Sequence, residues 1–182
     1  MKLRNWTVFV LLLGLTGCVW SPITYDDAAR EQVGATESAF RDTGALDRYF
    51  DEAVAWAVFP GSVRLGFGFG GAYGRGWLVE EGEVSGRVQL AELFAGVNAG
   101  GQSYRTILFF RTDKSLQQFK KGRFEFSGQA NATAVTAGKT LTPSYSQDVA
   151  MFAQVRGGLL LEASVGAQRY DFFPLAAEGA TP

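Results

Sequence analysis

Four cations, Lys114, Lys120, Lys121 and Arg123, fall within ten residues, and four aromatic rings, Phe67, Phe69, Tyr73 and Trp77, fall at odd positions of a second short stretch. Such groups bind rather than transform: ammonium and guanidinium groups attract an anionic headgroup, and ring faces accept an acyl chain. Each set also has a plainer use. Lysines toward the end of a helix suit its dipole and a solvated face, and aromatic residues at strand spacing commonly form core. The chain has no histidine and one cysteine, which excludes a histidine base, a Ser-His-Asp triad and a Cys/His zinc site. Hydrolysis by Ser103 or Ser146 lacks both that base and a G-x-S-x-G elbow. No catalytic residue, metal or cofactor is expected. With 17 Lys and Arg against 18 Asp and Glu, no net field favours a nucleic-acid partner.

The single cysteine, Cys18, ends a segment ordered as an export signal: Lys2 and Arg4, an apolar run from Val8 to Leu15, then small residues. That run is shorter than the ~20 residues a membrane-spanning helix needs. Leu15-Thr16-Gly17-Cys18 resembles the bacterial lipobox, which implies cleavage after residue 17 and acylation of Cys18. Two or more acyl chains, each buried methylene contributing about 0.8 kcal/mol, make such attachment stable. Val19, where an aspartate would imply retention at the inner membrane, implies the outer membrane and its periplasmic face. The expected organisation is a signal at 1–17, an acylated tether at 18–23, one domain at 24–174 and a flexible tail at 175–182. A length of 182 residues suits a single domain.

Helices and strands must position these groups. Between Thr24 and Thr43, Ala29, Val33, Thr36 and Phe40 recur at helical spacing, and Gly44 is a stop. A shorter helix would place Leu46, Tyr49, Phe50 and Ala53 on one stripe. Eight acidic residues and three arginines lie between Thr24 and Glu52, so these helices should cover a sheet and turn their acidic side to solvent. From Leu65 to Trp77, strand alternation puts Leu65, Phe67, Phe69, Tyr73, Arg75 and Trp77 on one face. Gly66, Gly68, Gly70, Ala72, Gly74 and Gly76 form the other. Glycine in a strand costs roughly 0.5–1 kcal/mol relative to alanine, so something must approach the bare face closely. Either the sheet curls until its concave side has no room for side chains, or a ligand or second layer lies on the backbone. The G-x-G-x-x-G at Gly66, Gly68 and Gly71 is not followed by a helix and is no dinucleotide fingerprint.

Glu80 to Glu83 reads as a hairpin turn, Thr106 to Phe110 as a strand flanked by Arg105 and Arg111, and Lys114 to Lys121 as a helix capped by Asp113 with Leu116 and Phe119 inward. Phe126 to Thr136 and Leu159 to Ala167 alternate again. The expected class is α+β: a curled antiparallel sheet or small β-barrel, with N-terminal helices and one short inserted helix packed against it.

Three stretches resemble the SYLF domain, a lipid-binding family: Ala55 to Val79, Ala95 to Gly138 and Asp148 to Asp171. They contain the Ala-Val-Phe-Pro turn, the glycine ladder, the strand leading into T-D-K-S-L, and G-L-L-L-E-A-S-V-G, in family order. The resemblance implies phospholipid binding without catalysis. The acidic lead-in departs from members whose corresponding segment is basic, so phosphoinositide recognition does not carry over. The expected function is that of an outer-membrane lipoprotein, held through acylated Cys18 and binding phospholipid or acyl groups. In that reading Lys114, Lys120, Lys121 and Arg123 meet headgroups, while Phe67, Phe69, Tyr73 and Trp77 line an acyl slot. The alternative is an envelope scaffold gripping a protein partner with no lipid ligand.

Overall fold

A computed structural model of the chain describes residues 25–122, 125–127, 133–134 and 148–175, without the side chains of 96–98, 125–127, 133–134 and 157–167. The elements run α1 (Asp27–Arg41), α2 (Asp47–Glu52), β1 (Ala55–Glu80), β2 (Glu83–Phe110), α3 (Asp113–Lys120), β3 (Glu125–Ser127), β4 (Thr133–Ala134) and β5 (Val149–Pro174). They build an α+β domain around one sheet of order β1-β2-β5-β3, in which β1, β2, β5 and β3 pair antiparallel. The two-residue β4 pairs parallel with β5. The sheet is open and does not close into a barrel.

Three strands dominate, of 26, 28 and 26 residues, against a usual ~5–6. Drawn out flat they would run some 85 Å at ~3.3 Å per residue. Instead the sheet folds back across their middles, and its two halves face one another. Ala55, Ala57, Phe59, Leu108 and Met151 from one half share a core with Leu78, Val88, Leu90 and Tyr170 from the other. The Phe59 and Tyr170 rings meet across it at 5.9 Å.

The glycine ladder makes this fold possible. A Cβ on Gly76 would run into the Val58 carbonyl oxygen and lie 2.9 Å from Phe59 Cδ1, one on Gly74 would strike Ser62 Oγ, and one on Gly70 would strike the Leu65 carbonyl. Residues 70–76 therefore lie directly on residues 58–66 of the same strand. Both expected uses for a bare face meet here: the sheet curls until its concave side has no room for side chains, and the strand itself supplies the second layer. Away from β1 the halves separate enough to admit Leu90, Met151 and Tyr170. There α3 closes the gap with Leu116 and Phe119, the latter ring 4.7 Å from Phe110 and 5.5 Å from Tyr170.

The convex side is covered by the N-terminal helices. Asp26 caps α1 by accepting from the Ala29 amide at 2.8 Å, and the helix buries Ala29, Val33, Thr36 and Phe40, the stripe expected from spacing. Phe40 joins Leu46, Tyr49 and Phe50 against Val58, Ile107, Phe109 and Phe152, while Ala29 and Val33 cover Trp77 and Val79. The β1–β2 connection is a two-residue turn with Glu81 at φ 53° and Gly82 at φ 83°, the paired positive angles that suit strand twist in a tight hairpin. The α3 cap is Thr112, not Asp113: its extended backbone (φ −131°, ψ 149°) lets the hydroxyl accept from the Ser115 amide at 3.3 Å. Asp113 instead sits in the first turn, where a carboxylate suits the helix dipole. Most of the expected strand from Phe126 to Thr136 lies outside the described residues, as do Arg123, residues 1–24 with Cys18, and residues 176–182.

Candidate functional site

The lysines expected at a headgroup site do not converge. Lys120 places its ammonium 2.6 Å from the Glu80 carboxylate and 5.4 Å above the Phe172 ring, so its charge is taken up at the hairpin. Lys114 and Lys121 are exposed at opposite ends of α3, about 10 Å apart along the axis at ~1.5 Å per residue.

The four aromatic residues likewise do not line one slot. Trp77 is buried beneath α1 with its ring 4.9 Å from that of Tyr25. The Tyr73 hydroxyl is half-exposed and accepts from Arg75 Nε at 2.8 Å. Phe67 and Phe69 stand on the convex side where the strand turns back, 84% and 79% exposed. Alternation placed all four on one face as expected, but that face is the outer one, because the backbone fills the inner side. The cleft between the start of α1 and strands β1 and β2, about 440 Å³, is lined by Asp26, Gln32, Arg75, Trp77 and Arg87 among others. One carboxylate and two guanidiniums make it a poor place for a hydrocarbon chain.

What the fold does assemble is an apolar crown at the bend. Leu65 (60% exposed) and Leu93 (77% exposed) join Phe67 and Phe69 there, Leu93 pairing across the strands with Gly71. Large apolar side chains this exposed at one bend make it the candidate interaction surface among the described residues. Behind the crown, Arg105 and Arg156 lie close enough that Arg156 depresses the Arg105 guanidinium from its ordinary value, after the larger effect of burial. Arg105 donates to Gln154 Oε1 at 2.5 Å and Arg156 to the Pro60 carbonyl at 3.0 Å; neither has a carboxylate partner among the described residues. Arg111, at the other end of the same apolar run, is instead paired with Asp148. Arg105 was visible in the sequence as a strand flank, whereas the role of Leu65 and Leu93 depends on which face is outward.

Inside the bend the sheet halves enclose a polar row. Arg64 Nη1 lies 2.5 Å from Glu92 Oε2, with its guanidinium 3.8 Å over the Phe94 ring. Gln168 Nε2 donates to the same Glu92 oxygen at 3.0 Å, and the Tyr170 hydroxyl lies 3.2 Å from Gln168 Oε1 and 3.3 Å from Met151 Sδ. Burial, with smaller contributions from Tyr104 and Glu92, raises the Tyr170 phenol well above its usual 10.0. A phenol raised in the folded state stabilises it fully below pH ~10, and that contribution is lost as pH climbs further. Alkaline titration of stability should therefore fall above about pH 10, and more steeply than in Tyr170→Phe. Superposable curves would show that Tyr170 does not stay neutral inside the fold.

No helix among the described residues is long and apolar enough to cross a membrane. No family model, curated protein or solved structure matches the chain.

Proposed function

We propose that this chain is an acyl-anchored envelope lipoprotein whose SYLF-like domain binds phospholipid non-covalently and catalyses no reaction. The observation that carries the reading is the crown of Leu65, Phe67, Phe69 and Leu93, held in water by a sheet whose own concave side is already occupied. A surface of this kind gains only when apolar material covers it. The Leu15-Thr16-Gly17-Cys18 segment supplies the reason to expect lipid nearby.

The anchor is tested by extraction. In the parent chain, membrane association should resist alkaline carbonate and yield only to detergent, while Cys18→Ser should be released by carbonate. Identical behaviour of the two chains would remove Cys18 from the reading. Lipid binding is tested separately, by native mass spectrometry of the full Cys18→Ser chain released gently from membranes: a phospholipid adduct is expected.

A further inference from the structure

Charge is distributed unevenly along the folded sheet. Asp26, Asp27, Glu31, Glu37 and Asp42 sit on or beside α1, and Asp47, Asp51 and Glu52 on α2. Glu80, Glu81 and Glu83 sit at the β1–β2 turn, and Asp113 and Asp148 where α3 and β5 begin. Apart from Asp26, which shares the cleft with Arg75, these lie toward the end where the strands start and finish. At the bend, Glu92 points inward to Arg64 and is buried. The exposed side chains described there are apolar or small, and the first cations behind them, Arg105 and Arg156 on one half and Arg75 on the other, lack carboxylate partners among the described residues. Among the described side chains the molecule is thus mostly acidic toward one end, apolar at the other, and basic between them.

We infer that the bend enters the surface of an anionic bilayer, with Phe67, Phe69, Leu65 and Leu93 reaching the boundary of the acyl region and Arg75, Arg105 and Arg156 drawn to the lipid phosphates. This rests on the phospholipid-binding reading and names its ligand as a membrane surface rather than one lipid held within the fold. Apolar rings gain by leaving water there, and the cations behind them, with Arg75 about 20 Å along the strand from Phe69 at ~3.3 Å per residue, add a weaker attraction that salt screens. The acidic helices, which such a surface repels, face away from it. The anchor fits the same geometry: Tyr25 packs against Trp77, eight residues along β1 from Phe69, or about 26 Å at ~3.3 Å per residue. Seven residues at up to ~3.6 Å each can reach about 25 Å, a length that brings Cys18 and the bend to about the same level.

The test uses the full Cys18→Ser chain, so that acyl chains do not mask the effect, with vesicles of phosphatidylethanolamine mixed with phosphatidylglycerol and vesicles of phosphatidylcholine alone. Binding to the anionic vesicles is expected, weakened roughly tenfold or more by Phe67→Ser with Phe69→Ser. Arg105→Gln with Arg156→Gln should lower it, more at low salt than at high salt, and leave the phosphatidylcholine vesicles unaffected. Because Cys18 is the native chain's only cysteine, Phe67→Cys or Lys121→Cys in this background carries one environment-sensitive label. The label at 67 should shift to the blue and be quenched from within the lipid phase, and the label at 121 should do neither. Vesicle binding with the label at 67 still in water would overturn insertion while leaving lipid binding standing. A dimer that shields position 67 and ignores vesicles would assign the crown to a second copy and overturn it too. No vesicle binding and no phospholipid adduct would overturn both proposals.

Discussion

Gly76→Val is expected to remove a large share of the domain's stability. Even the first carbon of that side chain would overlap the Val58 carbonyl oxygen and press to 2.9 Å from Phe59 Cδ1. The obstacle is backbone, which cannot rotate away as a flexible side chain would. Overpacking a core with movable neighbours costs about 1–3 kcal/mol; here β1 must separate from itself, and a loss of about 4 kcal/mol or more is expected. Against a domain stability of roughly 5–15 kcal/mol, such a loss removes between about a quarter and most of it. Urea unfolding of Gly76→Val beside Gly34→Ala makes the comparison internal. Gly34 lies in α1 with nothing within 4 Å of its would-be Cβ, so alanine there should stabilise by about 0.5–1 kcal/mol. If Gly76→Val unfolds at the parent's urea midpoint, the two halves of β1 do not lie in contact.

Glu92→Ala is expected to cost about 3 kcal/mol, the lower end of what breaking a buried ion pair costs. Glu92 is 5% exposed, Arg64 is 16% exposed, and they meet at 2.5 Å. Removing the carboxylate takes from the enclosed guanidinium the charge it meets at 2.5 Å and takes away the acceptor of Gln168. The contact with the Phe94 ring compensates only in part, since a cation over an aromatic face contributes about 0.5–2 kcal/mol. The pair itself is not a large net source of stability, because both charges were desolvated to form it. Arg64→Met with Glu92→Leu should therefore recover most of the loss. A double-mutant cycle on urea midpoints reads this directly. A single variant within 1 kcal/mol of the parent, together with a double variant no better, would mean the pair is open to water.

Local pattern carried much of the architecture. The α1 stripe from Ala29 to Phe40 and the hairpin at Glu81-Gly82 were legible because each depends on residues within a few positions of one another. The alternation from Leu65 to Trp77 was legible too, and with it the demand that something approach the bare face. The identity of that something was not legible. Val58 and Gly76 stand eighteen residues apart in one strand, and nothing in either neighbourhood marks them as partners. Lys120 shows the same limit: its neighbours made it one of a basic cluster, while Glu80, forty residues away, takes its charge.

Strand and helix periods, the expected small-residue face and the absence of histidine chemistry are properties of the chain read in order, since side-chain spacing and residue type decide them. Which face of the ladder meets water is a property of the folded sheet alone. Alternation separates two faces without saying which is inside, and here the strand's contact with itself turns the phenylalanines outward and lays backbone against the glycine side.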